Sequence, residues 1–183
     1  MLKKWLPSFR PQTFVEILEQ TGGIHNKRVC EIGCSAGGFL ERSQESGTSV
    51  FGVEWDGDAL NYLSKIGIPA AKEFDTSLIF DVVCTFQLLE HLADPASLIR
   101  QISQVLPHDG RVLLALPNGG EAERVGNSWV GYRVDLEHLN YFSIGSLSRL
   151  LSDHDLYVEQ FWEYLQPGVA RENQSHQLRR GLL

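Results

Sequence analysis

Val29-Cys30-Glu31-Ile32-Gly33-Cys34-Ser35-Ala36-Gly37-Gly38 is an apolar run closing on an acid, then a glycine-spaced turn leading into a helix-like stretch. Glycine at such a turn lets backbone N–H groups approach a ligand with no Cβ in the way. The helix beyond it directs its positive end at the same place. A second apolar run, Val50-Phe51-Gly52-Val53, ends in Glu54, 21 residues after Gly33. An acid at that distance suits hydrogen bonds to the two hydroxyls of a ribose. The two strand ends together read as a nucleoside pocket. On that reading, a side chain at Gly33 would occupy the ligand's approach path.

Outward from this pair, strand-like runs alternate with helix-like ones, which implies a parallel sheet covered on both faces. Phe14, Val15, Ile17 and Leu18 give residues 11–20 one helical face, closed by Gly22-Gly23. Residues 28–32 form the first strand, 37–45 the first crossover helix and 49–54 the second strand. Asp56 caps a helix bearing Ala59, Leu60, Leu63 and Ile66, and a short third strand spans 68–71. Phe80-Asp81-Val82-Val83-Cys84-Thr85 is the fourth strand. Asp94-Pro95 then opens a helix with Leu98, Ile99, Ile102, Val105 and Leu106 on one face. Residues 111–116 form the fifth strand, Ser143 caps a last helix, and the loose alternation of 156–165 predicts a sixth strand. The fold class is α/β: a Rossmann-like, doubly wound, mostly parallel sheet.

At 183 residues the chain is long enough for one domain with a sizeable core. A formal charge of −7 argues against a nucleic-acid partner, which wants a basic face. Arg171, Arg179 and Arg180 near the end read as a solvated terminus. Cys30, Cys34 and Cys84 form no pairing framework, and no Cys or His cluster has ligand spacing, so no metal is expected. Free cysteines in apolar runs point to a reducing, cytoplasmic setting. No apolar run approaches the roughly 20 residues needed to span a bilayer, so no membrane partner is expected.

These residues in this order resemble the class I S-adenosylmethionine-dependent methyltransferases, of the small-molecule type related to ubiquinone-biosynthesis methyltransferases. The resemblance covers residues 28–160. The family's Glu-x-Gly-x-Gly-x-Gly motif falls on Glu31, Gly33, Ser35 and Gly37, with Ser35 in place of the middle glycine. Phe80-Asp81-Val82-Val83, Leu89-Glu90-His91-Leu92 and Asp94-Pro95 look like its fourth strand and sequel. Leu106-Pro107-His108-Asp109-Gly110, Leu116-Pro117-Asn118 and His138-Leu139-Asn140-Tyr141-Phe142-Ser143 resemble its later motifs. The implied organisation is a single domain, 1–183, with a helical segment at 1–27, a cofactor-binding core at 28–118 and an acceptor side at 119–183. The family's closing antiparallel hairpin is expected to be shortened, because only 18 residues follow Leu165.

The resemblance implies a methyl transfer from S-adenosylmethionine to a small or carrier-linked metabolite. Gly33, Ser35 and Gly37 would bring the loop backbone against the cofactor. Glu31 would reach its methionine amino group, the alternative being a capped strand-end carboxylate. Glu54 would accept from both ribose hydroxyls. Trp55 either covers the adenine face or packs. Glu73 and Asp75 both lie where the adenine amino group is met, and the sequence leaves the choice open. Gln87 is placed to touch the methionine portion. A hydroxyl acceptor needs a base, for which His91 and His138 are candidates, each with a structural role as the alternative. Trp129, Tyr132 and Tyr141 are candidate linings of the acceptor pocket. Two other readings stay open: a non-catalytic module that keeps only the cofactor pocket, and a nicotinamide-dependent oxidoreductase. Against the latter, no Tyr-Lys pair follows the third strand, and Glu31 would repel a pyrophosphate.

Overall fold

The computed structural model describes residues 11–122, 126 and 137–162. In chain order these form α1 (Pro11–Gln20), β1 (Arg28–Ile32), α2 (Gly38–Glu45), β2 (Ser49–Val53), α3 (Gly57–Lys65) and β3 (Ala70–Ala71). They continue with β4 (Val82–Phe86), a 3-10 turn (Leu89–His91), α4 (Pro95–Val105), β5 (Arg111–Ala115) and α5 (Ile144–Ser152). The five strands pair in the order β3-β2-β1-β4-β5, every pairing parallel. The winding reverses between β1 and β4. A sheet of this kind opens its ligand crevice outside the carboxyl ends of the strands at that reversal.

Burial runs unbroken from Val29 to Ile32 in β1 and through all of β4, because both faces of the sheet are covered, and only Glu31 and Thr85 among these residues are polar. Successive side chains enter opposite cores, as the strand period of two requires. Val29, Val82, Cys84 and Phe86 join Phe14, Phe39, Leu40 and Leu63 on one side. Cys30, Ile32, Val53 and Val83 join Ile99, Ile102, Val105, Leu147 and Leu151 on the other. Each such side chain contributes roughly 1.5–3 kcal/mol by leaving water. Phe86 fixes α1 and α2 together: Phe14 stacks on it at 4.0 Å between ring centres, and Phe39 meets it edge-on at 5.1 Å.

The three helix caps read from sequence are present. Asp56 accepts from the Ala59 amide at 2.8 Å, Asp94 from Ser97 at 3.0 Å, and Ser143 from Ser146 at 3.2 Å. Ser146 returns the bond, its hydroxyl accepting from the Ser143 amide at 3.0 Å. Side-chain caps of this kind are worth about 0.5–2 kcal/mol each.

The structure differs from the sequence pattern at element ends. Gly37 precedes α2 as its left-handed cap at φ 73°, and the third strand shrinks to two residues. β4 begins at Val82, and just before it Asp81 accepts from the Arg28 amide through its carboxylate at 2.7 Å. The expected sixth strand does not form in residues 156–162, which carry no strand pairing. Leu156 and Val158 pack half-buried on the α4/α5 side. Alternation buries a face, but only a partner backbone makes a strand. Residues 163–165 of that expected strand lie outside the described residues, as do the hairpin region, the first seven residues, Arg171, Arg179 and Arg180. Among the described residues no helix is long and apolar enough to cross a membrane.

Candidate functional site

The carboxyl ends of β1, β2 and β4 converge at the reversal of winding. After β1 the chain bends through three left-handed residues, Gly33 at φ 76°, Ser35 at 48° and Gly37 at 73°. Ser35 stands where the resemblance has a glycine, and it adopts the backbone a glycine would. The bend is tied to the end of β2, since Gly33 and Cys34 both donate to the Val53 carbonyl, at 2.8 and 3.2 Å.

Across the crevice, Glu54 closes the cradle. One carboxylate oxygen accepts from the Ser35 amide at 2.7 Å, and the other from Trp55 and Asp56 at 2.7 and 2.9 Å. The glycine-bearing bend and the acid one strand over therefore lie within a single hydrogen bond of each other, as their spacing predicted. Each carboxylate oxygen keeps lone-pair directions for further donors. The carboxylate is set before any ligand arrives.

Glu31 sits beneath this cradle at the core of the sheet, in register with Gly52 and Cys84. It is 0% exposed, and neither carboxylate oxygen has a hydrogen-bond partner. Burial pushes its carboxyl well above the usual range, and Glu54 pushes it further. A strand-end carboxylate with a structural role would be capped. This one is not.

The bend's glycines serve packing as well as approach. A Cβ on Gly33 would meet Leu88 Cδ2 at 3.3 Å, so the space there belongs to Leu88 rather than to the ligand path. A Cβ on Gly37 would fall 2.4 Å from Leu63 Cδ2. Gly37 thus lets α2 and α3 close on each other.

On the α4 side lies a cleft of about 420 Å³, lined by Ile32, Trp55, Glu73, Phe74, Leu92 and Gln101 among others. Trp55 is half exposed at its mouth. The structure separates the two acids that the sequence left open. Both are exposed, but Glu73 lines the cleft, whereas Asp75 accepts from the Ser77 amide at 2.9 Å. Hydrogen bonds from Ser77 hold the Asp75 carboxyl below its ordinary value. Phe74 and Gln101 are cleft residues the sequence reading missed, since a two-residue β3 and a helix face give no local mark of a pocket.

Past β4, Gln87 adopts a left-handed backbone at φ 52°, and its amide donates to the Ala115 carbonyl at 2.7 Å. Its side-chain Nε2 is buried with no partner. A left-handed residue other than glycine costs energy and gathers at functional sites. The 3-10 turn follows directly, carrying Glu90 and His91. Glu90 is buried to 1% exposure with both carboxylate oxygens unpartnered, and burial raises its carboxyl against weaker opposing pulls from backbone and His91.

The loop at residues 137–140 is strapped onto this turn. Leu139 and Asn140 donate to the Glu90 carbonyl at 2.7 and 3.0 Å, and Asn140 Nδ2 donates to Leu92 at 2.6 Å. His91 Nδ1 lies 2.7 Å from the Glu137 carbonyl. A carbonyl only accepts, so Nδ1 is the donor in this contact. The His138 ring meets His91 edge-on, centres 4.7 Å apart, and Tyr141 stands 6.4 Å beyond. Glu90, His91 and His138 each present a donor atom within 4.8 Å of the others. Sequence spacing hid this trio, because the strap and not the chain brings them together. Trp129 and Tyr132 lie outside the described residues.

A five-stranded parallel sheet, a left-handed bend and an acid on the adjacent strand define a Rossmann-like, nucleoside-binding type of domain. The chain belongs to the methyltransferase-domain family, whose model matches residues 5–160. It is 29% identical over 150 residues to a ubiquinone biosynthesis O-methyltransferase of Yersinia enterocolitica, covering 74% of this chain and 59% of that protein. The chain thus spans about three fifths of the length of the curated relatives it matches. Among solved structures, a SAM-dependent methyltransferase from Archaeoglobus fulgidus superposes with a TM-score of 0.67 at 20% identity, covering 91% of this chain and 79% of that one. The plantazolicin methyltransferase BpumL in complex with SAH gives 0.61 at 20% identity, covering 79% and 61%. The expected α/β class and family are borne out.

Proposed function

We propose that this chain transfers a methyl group from S-adenosylmethionine to a hydroxyl oxygen of a small or carrier-linked metabolite. The observation that carries the reading is Glu31, a buried carboxylate without a partner beneath a cradle already set for ribose. A cationic nucleoside complements that arrangement. A dinucleotide does not, because its pyrophosphate would face two acids. When bound, S-adenosylmethionine supplies a methyl group activated by positive sulfur. The protein's part is chiefly alignment, which can supply much of the barrier reduction in a displacement of this kind.

Glu54 holds the ribose hydroxyls, Glu73 meets the adenine edge and Trp55 covers its face. Gln87 directs its unpartnered amide toward the methionine portion. Oxygen as the acceptor follows from the relatives' printed O-methyltransferase name. An unactivated hydroxyl holds its proton, so His91 Nε2 takes it, with Nδ1 anchored on Glu137. His138 orients the acceptor beside it. A divalent cation on Glu90, His91 and His138 is the competing account of acceptor activation. It predicts turnover lost in EDTA and restored by Mg2+ or Mn2+, whereas His91 acting alone predicts no effect. Three free, buried cysteines support a reducing cytoplasm as the setting.

Calorimetric titration with S-adenosylhomocysteine and NAD tests the cofactor assignment: heat of binding from the first and none from the second is expected. Methyl transfer from radiolabelled S-adenosylmethionine to a panel of phenols then separates an enzyme from a binding module. Glu54→Ala should weaken S-adenosylhomocysteine binding by roughly 1–3 kcal/mol, the cost of leaving buried donors unpaired. Glu54→Gln, which keeps an accepting oxygen, should lose less. Unchanged affinity in Glu54→Ala would remove Glu54 from the site.

A further inference from the structure

Glu31 has a consequence beyond contact. A carboxylate 0% exposed and without a hydrogen bond cannot stay charged at modest cost, because ions leave water only when paired. The titratable groups acting on it, or on which it acts, supply no cation. Glu54 faces it from the end of β2 and carries like charge. Cys30 beside it on β1, Cys34 in the bend and Cys84 across on β4 are all buried thiols whose ionisation Glu31 opposes. Burial holds the Cys30 thiol up at about 12 and the other two higher than their ordinary range, so all three stay neutral. Arg111, the cation acting on Cys84, is spent elsewhere: its guanidinium donates to the carbonyls of Thr21 and Gly23. The uncharged polar groups nearby on β4 and just past it, Thr85 Oγ1 and Gln87 Nε2, are themselves unpartnered.

We propose that the free protein holds Glu31 as a neutral carboxylic acid, and that the ammonium group of the incoming cofactor ionises it, so that one proton leaves the site for each molecule bound. The inference rests on the cofactor reading above and adds the chemical form in which the site recognises its ligand. The proton departs from the Glu31 carboxyl to solvent, and the ammonium and carboxylate remain as a buried pair.

The sign follows from linkage. The free-state carboxyl titrates above its usual range, and the bound-state carboxyl, paired with a cation, titrates lower. Between those two values binding releases a proton, so affinity rises with pH by up to about tenfold per unit. The window closes near pH 8, where the ligand's own α-amino group loses its charge.

Calorimetric titration at pH 6.5, in two buffers of different ionisation enthalpy, counts the protons. S-adenosylhomocysteine, which carries the amino acid, should release about half to one proton. 5′-Methylthioadenosine, which keeps the nucleoside and lacks the amino acid, should bind and release none. S-adenosylhomocysteine on Glu31→Gln should likewise release none, and its affinity should stay flat from pH 6 to 7.5 while the native protein's rises. Binding of both ligands with equal proton counts overturns the proposal and leaves the cofactor reading intact. Failure of both to bind overturns the two together. The comparison of the two ligands on the native protein decides the matter even if the variant does not fold.

Discussion

Replacing His91 with alanine should lower turnover by about 10²–10⁴-fold while leaving S-adenosylhomocysteine affinity within about threefold of native, the range that a positioned general base contributes. The split matters because His91 lies outside the cradle formed by the bend and Glu54. Its ring is fixed from the 137–140 loop, by the Glu137 carbonyl at 2.7 Å and by the edge of His138 at 4.7 Å. Removing it should therefore cost catalysis and spare cofactor binding. His91→Gln should recover little, since an amide cannot take a proton at neutral pH. Single-turnover methyl transfer from radiolabelled cofactor to a phenol accepted by the native protein measures the first quantity, and calorimetry the second. A fall in both together would assign His91 to holding the 137–140 loop, and native turnover would remove it from the mechanism.

How far such a site is legible in sequence depends on how local its causes are. Asp56, Asp94 and Ser143 cap helices by reaching three residues along the chain, so their types and positions sufficed. The bend and Glu54 were legible for a related reason. β1 and β2 pair in parallel as neighbours, so an acid at the end of β2 arrives beside the glycine turn at the end of β1. Glu73 and Asp75 could not be separated, because two residues of β3 fix no register by pattern. Only the fold shows one lining the cleft and the other bonded to Ser77. The partnerless state of Glu31 and Glu90 was equally hidden, since lacking a partner is a property of everything around a residue. The misread strand at 156–162 marks the same boundary from the other side. Its alternation does bury Leu156 and Val158 partly, and nothing in that pattern supplies a neighbouring backbone.

Gly33→Val should reduce cofactor affinity by more than about 100-fold, and for a reason the sequence placed in the wrong spot. Its φ of 76° is one that a β-branched residue adopts only under strain, costing roughly 1–2 kcal/mol from the backbone alone. The added Cβ would point at Leu88, whose Cδ2 lies 3.3 Å away, and the two γ-methyls need more room still. Overpacking of this kind typically costs about 1–3 kcal/mol. Relief has two routes. The bend can leave its left-handed path, which breaks the approach of the Ser35 amide to Glu54. Alternatively Leu88 can yield, which shifts the turn carrying Glu90 and His91. The first route removes the cradle and the second moves the base, so both cofactor affinity and turnover should fall. Gly33→Ala separates the causes: it keeps most of the backbone strain and little of the crowding. If crowding at Leu88 dominates, alanine should retain measurable S-adenosylhomocysteine binding and Leu88→Ala should partly rescue Gly33→Val. If neither holds and the valine variant binds tightly in a folded state, as judged by calorimetry beside a thermal melt, the bend does not form the ligand's bed.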